Sequence, residues 1–327
     1  MTPGSRPPPP EAGSIRENLS LYIRPNPQHK QILITLGHLP ACVRLAGGMN
    51  TDRIDTIEIV HQGVSARRAK VALFDFDGTL SLIRTGWVDV MVPMMLEILV
   101  ELKTGESEED LRALVDDFVA RHTGEQTIYQ MIELSQQVKQ RGGTPLAPLE
   151  YKRMYHDRLM LKIAYRREEL RQGKVPPERY LVPGARAFLE SMRERGLRLY
   201  CASGTDQAYT LEEARLLEIE RYFDGRIYGA LDDYQSFSKE ILIRKMVSSM
   251  ECRGEELVGF GDGYVEVKNV KDAGGVAVGV ATDEPQCRVV NKWKRARLVK
   301  VGADFIVPNF LGREELSKAL FADDPAP

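Results

Sequence analysis

The sequence predicts an α/β protein: a parallel sheet covered by helices, an inserted all-helical segment, and a β-rich extension at the N-terminus. Apolar runs of Val, Leu, Ile and Phe alternate with helical patterns through the second half of the chain, which is typical of parallel strands buried on both faces. A long stretch before them has helical periodicity alone. Several apolar runs end in acidic or hydroxyl residues, which indicates a site at one edge of the sheet.

The N-terminal part of the chain is expected to add two segments to this sheet. Residues 1–28 include four consecutive prolines and many polar residues, a composition typical of a disordered tail. Residues 29–69 contain three strand-like runs and a glycine-rich turn signal, which predicts a β-arm or extension. The three runs cover residues 31–36, 42–45 and 56–60.

The most informative segment is an apolar run at residues 71–74 that ends in two acids, Asp75 and Asp77, followed by Gly78. Residues two apart in an extended chain point the same way, so both carboxylates can face one small site. Gly78 permits the chain to turn away at once. Two like charges this close repel unless a cation lies between them, and oxygen ligands favour Mg²⁺ over zinc.

Residues 83–179 are predicted to form an all-helical cap domain inserted into the main sheet. Apolar residues recur there at the spacing of one helix face, as in Leu111, Leu114, Val115 and Phe118. Four helices are predicted, and they cover residues 87–103, 107–121, 125–140 and 148–172.

Residues 70–82 and 180–327 are predicted to form the α/β core. The first strand-like run after the helices is followed by Ser203 and Gly204, and the third ends near Asp262. Ligands of parallel sheets bind beyond the carboxyl ends of the strands, so these polar residues are expected to meet there. The five later runs cover residues 197–202, 226–230, 257–260, 276–280 and 304–307.

Two further charged residues complete the set. Lys239 precedes a helical pattern, and Glu266 lies four residues after Asp262. The acids suit a metal ion, whereas a hydroxyl and an ammonium group suit an anion. The sequence therefore combines groups for a cation and for an oxyanion at the ends of its strands.

These residues resemble, in their order along the chain, the four signatures of the haloacid dehalogenase superfamily of phosphohydrolases. The matching segments are 75–79, Ser203, Lys239, and 261–263 with Glu266. The resemblance covers roughly residues 70 to 310 and rests on the joint order of the four, because each one alone is a weak signal. It implies a Rossmann-like sheet with a helical cap between the first and second signatures.

The resemblance also implies a mechanism. Asp75 would attack the phosphorus of a phosphate monoester and form an aspartyl-phosphate. Asp77 would protonate the leaving alcohol and then accept a proton from the attacking water. Ser203 and Lys239 would hold the phosphoryl oxygens as charge develops.

The same resemblance implies one Mg²⁺ as cofactor. Its ligands would be the Asp75 carboxylate, the main-chain carbonyl of Asp77, and Asp262. Glu266 would either support the metal through water or orient Lys239.

Substrate contacts are expected from the first signature, the second signature and the cap. Thr79 lies within the first signature and Gly204 directly follows Ser203, whereas Arg84, Trp87 and Gln126 lie in the cap or the segment that leads to it. The expected partner is a small phosphorylated metabolite, such as a sugar phosphate.

Composition excludes several other classes of protein. The chain has 327 residues, 43% of them hydrophobic, and a net charge of −2, which gives no reason to expect nucleic-acid binding. Four cysteines without paired spacing indicate neither a disulfide framework nor a zinc site. No apolar run is long enough to span a membrane. We therefore expect a cytoplasmic monomer or homodimer, and we interpret the basic run 291–297 as an exposed helix face.

Two alternatives remain open. A sugar phosphomutase of the same superfamily would share every core residue and differ by keeping the phosphoryl group from water. A non-catalytic member would bind a metabolite or a protein instead. Asp77 argues against a dehalogenase, because that reaction has no leaving alkoxide to protonate.

Overall fold

The computed structural model describes residues 57–231, 233, 238–248 and 252–321. The predicted tail and the first two predicted strands of the N-terminal extension lie outside the described residues. Of the third predicted strand, Glu58–Ile59 form a short strand, β1.

The predicted parallel sheet is present, and it has seven strands among the described residues. Its strand order is β1-β7-β6-β5-β2-β3-β4, and all neighbouring strands are parallel except β1, which pairs antiparallel with β7. The other strands are β2 Val71–Phe74, β3 Arg198–Asp206, β4 Ile227–Ala230, β5 Leu257–Gly261, β6 Val276–Val280 and β7 Phe305–Val307.

Complete burial explains the composition of the central strands. Every residue of β2, β5 and β6 is buried, so helices must cover both faces of the sheet. Phe74 of β2 stacks on Phe260 of β5 with ring centroids 4.6 Å apart, and Phe188 contacts both rings edge-on. This aromatic cluster fixes β2 and β5 side by side, and therefore the acids that follow them.

The segment between β2 and β3 is mostly helical. Its first four helices, which we call the cap helices, are α1 Val88–Val100, α2 Glu108–Arg121, α3 Thr127–Gln140 and α4 Pro148–Arg171. Ser107 caps α2, because its hydroxyl accepts a hydrogen bond from the amide of Asp110 at 3.1 Å. All four lie where helices are predicted; the division of the chain into cap and core domains stays a prediction.

In the part of the chain that the structure describes, six further α-helices pack on the sheet. They are α5 Ala185–Glu194, α6 Gln207–Leu216, α7 Lys239–Ser248, α8 Tyr264–Asp272, α9 Lys292–Lys300 and α10 Arg313–Phe321. Within the described parts of the chain, no helix is both long and apolar enough to cross a bilayer.

Candidate active site

The carboxyl ends of β2, β3 and β5 bring the predicted residues together. These three strands are neighbours in the sheet, and the chain leaves each of them at the same edge. A cavity of about 110 Å³ opens there between the strand ends and the cap helices. Four of the predicted signature residues line it, Asp75, Asp77, Lys239 and Asp262, and so does Gly204 next to Ser203.

Asp75 lies at the base of this cavity and is only 5% exposed. Its amide donates to the carbonyl of Phe260 at 2.9 Å, so the β2–β5 ladder fixes its backbone. Its carboxylate accepts a hydrogen bond from Lys239 Nζ at 2.6 Å and another from the Thr79 hydroxyl at 3.4 Å. Burial raises the pKa of Asp75, and the Lys239 ammonium opposes this rise. A charged partner thus favours the ionised form of a buried carboxyl group.

Lys239, the first residue of α7, is buried between two acids. Besides Asp75 it forms an ion pair with Glu266, a residue of α8 that is 3% exposed. Its ammonium also lies 3.4 Å from the carbonyl oxygen of Gly124. The Glu266 contact orients the lysine towards Asp75, and this contact supports the orienting role among the two roles predicted for Glu266.

Asp77 has a different set of partners. Its Oδ2 atom accepts hydrogen bonds from the hydroxyl of Thr205 at 2.8 Å and from that of Ser203 at 3.2 Å. The nearest cation is Arg84, whose Nε lies 3.9 Å from Oδ1. Burial raises the pKa of Asp77 to about 6, although Arg84 lowers it. Asp77 can therefore hold a proton at a pH where an ordinary carboxyl group would have lost it.

This raised pKa predicts a pH dependence of stability for the metal-free protein. The pKa of Asp77 is about 6 when folded, against 3.8 for the free side chain. The stabilising contribution of the neutral carboxyl group is therefore present below pH about 4 and lost as the pH rises through 6. Relative to Asp77→Asn, wild type should lose about 2 to 3 kcal/mol of unfolding free energy between pH 4 and pH 7.5. Urea unfolding of both proteins with EDTA measures this difference, and a constant difference would contradict the shift.

Asp262 follows β5 and lies beside the turn at Gly78. Gly78 has a φ of +76°, and a Cβ atom there would collide with the Asp262 carboxylate, so this turn requires glycine. Burial raises the pKa of Asp262, and the charge of Asp75 raises it further, because the two carboxylates lie close enough to repel each other. Lys294 of α9 donates to Asp262 Oδ2 at 2.8 Å.

Oxygen atoms at this position fit the donor chemistry of Mg²⁺. A carboxyl group whose pKa is raised by a neighbouring carboxylate would gain from a cation that lies near both. Within the described residues, no group of three or more His, Cys, Asp or Glu side chains is arranged to hold a metal. The predicted metal ligands, Asp75, Asp262 and the main-chain carbonyl of Asp77, therefore stay a prediction.

The predicted substrate-binding residues lie in this cavity or next to it. Arg84 and Trp87 line the cavity, as does Gly204. Thr79 is fully buried, and its hydroxyl faces Asp75. Gln126 lines a neighbouring cavity, which also reaches Gly204 and Lys239.

Arg84 is held by a buried acid that sequence reasoning missed. Its guanidinium donates two hydrogen bonds to Glu213, at 2.8 and 3.1 Å, and Glu213 on α6 is completely buried. The charge of Arg84 is therefore largely neutralised by the protein. Nothing in the helical pattern of α6 distinguishes this acid from a solvent-facing one.

Thr205 is a second functional candidate that was missed. Residues two apart in a strand share a face, and Thr205 follows Ser203 by two positions in β3. Both hydroxyls reach the same oxygen of Asp77. The two-residue period that suggested Asp75 and Asp77 could also have identified Thr205.

The loop between α2 and α3 closes the cavity from the cap side. His122 Nδ1 lies 2.7 Å from Glu125 Oε2, and the Tyr264 hydroxyl of α8 donates to Glu125 Oε1 at 3.0 Å. His122 and Glu125 line the cavity. The cap loop is thus joined by a hydrogen bond to the helix that follows Asp262.

The interpretation of the basic run 291–297 as an exposed helix face is wrong for Lys294. The helix is present as α9, and Lys292 and Trp293 are exposed. However, the Lys294 side chain is only 15% exposed and contacts Asp262 at 2.8 Å and Glu284 at 2.7 Å. These ion pairs with acids from other parts of the chain hold the Lys294 side chain against the protein.

A family model described as haloacid dehalogenase-like hydrolase matches residues 69–274, which is more than half of the chain. No curated protein matches the sequence.

Solved structures of low sequence identity are similar along nearly their whole length. A predicted phosphoglycolate phosphatase from Haemophilus somnus 129pt has 17% identity and a TM-score of 0.48, over 76% of this chain and 98% of that one. A HAD family hydrolase from Deinococcus radiodurans R1, with bound phosphate and sodium, has 15% identity and a TM-score of 0.46, over 77% and 97%. A haloacid dehalogenase-like family protein from Streptococcus pneumoniae has 17% identity and a TM-score of 0.49, over 76% and 98%. The matched segment, residues 69–274, contains all the residues that line the cavity. On this family match, the chain belongs to the haloacid dehalogenase-like hydrolases.

Proposed function

We propose that this protein is a Mg²⁺-dependent phosphatase that hydrolyses a small phosphorylated metabolite, with Asp75 as nucleophile and Asp77 as general acid and base. The observation that carries the proposal is that two carboxylates line one cavity and have different partners. Asp75 pairs with a lysine, which favours the ionised form. Asp77 accepts bonds from two neutral hydroxyls, which suits a group that must gain and lose a proton.

The first half-reaction would form a bond between an Asp75 oxygen and phosphorus while the ester bond to the leaving alcohol breaks. The departing alkoxide would take its proton from Asp77. In the second half-reaction a water would attack the aspartyl-phosphate and give its proton to Asp77. Breakage of the bond from Asp75 to phosphorus then releases inorganic phosphate and restores both carboxyl groups.

The other residues of the site would stabilise the charge of the phosphoryl group or orient Asp77. Lys239, fixed by Glu266, would contact the phosphoryl oxygens next to Asp75. Ser203 and Thr205 would orient the Asp77 carboxyl group. A Mg²⁺ held by Asp75, Asp262 and the Asp77 carbonyl would offset negative charge on the phosphoryl group.

A small, weakly charged leaving group suits the cavity. Its volume is about 110 Å³, and Trp87 and Tyr155 are aromatic residues of its wall. Because Arg84 is already paired with Glu213, it adds little attraction for a second anionic group on the substrate. A sugar phosphate is therefore our preferred substrate class. The cytoplasmic location and a monomeric or homodimeric state belong to the same proposal.

The test is phosphate release from a panel of phosphorylated metabolites, measured with Mg²⁺ and with EDTA. We expect release from a narrow group of substrates that EDTA abolishes and added Mg²⁺ restores. The sugar phosphates are also monitored for isomerisation. Isomerisation without release would identify a phosphomutase, and binding of a metabolite without turnover would favour a non-catalytic role; either result would overturn the proposal.

A further inference from the structure

A charged cluster lies beside Asp262, outside the four signatures. Lys294 Nζ donates to Asp262 Oδ2 at 2.8 Å and to Glu284 Oε1 at 2.7 Å. Thr85 donates its hydroxyl hydrogen to the second oxygen of Glu284, Oε2, at 2.7 Å. These contacts join α9, the loop after β6 and the segment that leads from β2 into the cap.

Burial makes this cluster more than a surface ion pair. The side chains of Lys294 and Asp262 are each 15% exposed, and that of Glu284 is 20% exposed. Charges removed from water to this degree stay charged only when they are paired. The two carboxylates that contact Lys294 favour its charged ammonium form.

The position of Lys294 does not serve the stability of its own helix. It lies in the first turn of α9, where the Asn291 side chain caps the helix and accepts a bond from the Lys294 amide at 3.0 Å. A cation in the first turn of a helix opposes the helix dipole. The contacts with Asp262 and Glu284 offset this unfavourable position.

The carboxylate oxygens of Asp262 and Glu284 differ in how many of them already have a hydrogen-bond donor. Lys294 takes one oxygen of Asp262, which leaves the other for a ligand. Both oxygens of Glu284 are used, one by Lys294 and one by Thr85. Nevertheless Glu284 lies close by, because a Cβ atom at Gly78 would meet its Oε1 at 3.1 Å and would collide with Asp262. Glu284 is thus near the candidate metal position but engaged elsewhere.

We propose that Lys294 is a positioning residue that fixes Asp262 and withholds Glu284 from the divalent cation, so that it limits the affinity of the site for metal. The inference rests on the proposed function only in placing the metal at Asp75 and Asp262. Without the ammonium ion, Asp262 and Glu284 would both be free to bind a divalent cation. The affinity for metal should then increase.

The test is Mn²⁺ binding to the full-length protein without substrate, followed by the electron paramagnetic resonance signal of free Mn²⁺. Lys294→Met should bind Mn²⁺ at least about tenfold more tightly than wild type, because a unit charge next to a divalent ion changes binding by at least this much. Lys294→Arg keeps the charge and should stay within about threefold of wild type. Lys292→Met, an exposed position in the same turn, is the matched control and should leave the affinity unchanged.

A double variant separates charge from packing. Lys294→Met with Glu284→Gln removes one charge of each sign and should return to within about threefold of the wild-type affinity. Equal or weaker Mn²⁺ binding by Lys294→Met would overturn the proposal. Should circular dichroism show that this variant does not fold, Glu284→Gln replaces it. In Glu284→Gln, the ammonium ion of Lys294 has Asp262 as its remaining charged partner. Mn²⁺ should therefore bind several-fold more weakly than to wild type. An unchanged affinity would overturn the proposal.

Failure here and failure of the proposed function give different results. If wild type and variants bind Mn²⁺ with the predicted order of affinities, but wild type hydrolyses no phosphate ester, the phosphatase proposal is refuted and the role of Lys294 stands. An active phosphatase in which all variants bind Mn²⁺ equally would do the reverse.

Discussion

Replacing Asp75 with Asn is expected to lower kcat for phosphate ester hydrolysis by about four to six orders of magnitude, the usual effect of losing a catalytic nucleophile. The amide has the shape of the carboxyl group but cannot form the aspartyl-phosphate. The fold should remain, because burial already disfavours the charge of Asp75, and Lys239 keeps its second partner, Glu266. Single-turnover assays with purified wild type and variant measure the effect.

Two further variants make this result specific. Asp75→Ala cannot revert to Asp by hydrolysis of a side-chain amide, so it checks for traces of wild-type activity. Asp89→Asn changes an exposed acid on α1 that pairs with Lys162, and it should retain nearly full activity. Near-normal rates for Asp75→Asn and Asp75→Ala would refute the nucleophile assignment.

Much of the fold could be predicted because its signals are local. Buried parallel strands must be apolar along their whole length, and the runs at β2, β5 and β6 are. The α/β class with its helical insertion is confirmed for the described residues. The limits of β3 were less accurate: the strand continues to Asp206, beyond the predicted end at residue 202, because Ser203 to Asp206 are polar and resemble a loop.

The site was predictable where its residues adjoin strand ends. Asp75, Asp77 and Asp262 follow apolar runs directly, and parallel strands bring such positions to one edge. Glu213 and Lys294 have no such signal. Each lies in a helix among other charged residues, and only the packing of distant elements decides that Glu213 meets Arg84 and that Lys294 meets Asp262.

The basic segment at α9 shows the physical reason for this limit. Charged runs usually mark solvated helix faces, and part of α9 agrees, since Lys292, Trp293 and Ala296 are exposed. The Lys294 side chain faces inwards, however, and there two partly buried acids stabilise it. A sequence pattern describes the helix face but not the charges on the surface against which it packs.

Replacing Asp77 with Asn should affect substrates according to their leaving groups. An alkyl phosphate releases a strongly basic alkoxide that needs a proton, so its kcat should fall by about 10² to 10⁴. An aryl phosphate such as p-nitrophenyl phosphate releases a stable anion, and its loss should be about tenfold or less. The Asn side chain can still accept hydrogen bonds from Ser203 and Thr205, and the main-chain carbonyl proposed as a metal ligand is retained.

The comparison of the two substrates is what tests the acid role of Asp77. A general disturbance of the site, such as a displaced Asp75 or a weakened metal site, would slow both substrates equally. The Asp89→Asn variant should again slow neither. Equal losses for the alkyl and aryl phosphates would therefore assign Asp77 a structural role, whereas a loss confined to the alkyl phosphate would identify it as the group that protonates the leaving alcohol. The hydroxyls of Ser203 and Thr205, both within hydrogen-bond distance of Asp77, would then be the residues that hold this acid in line with the departing oxygen.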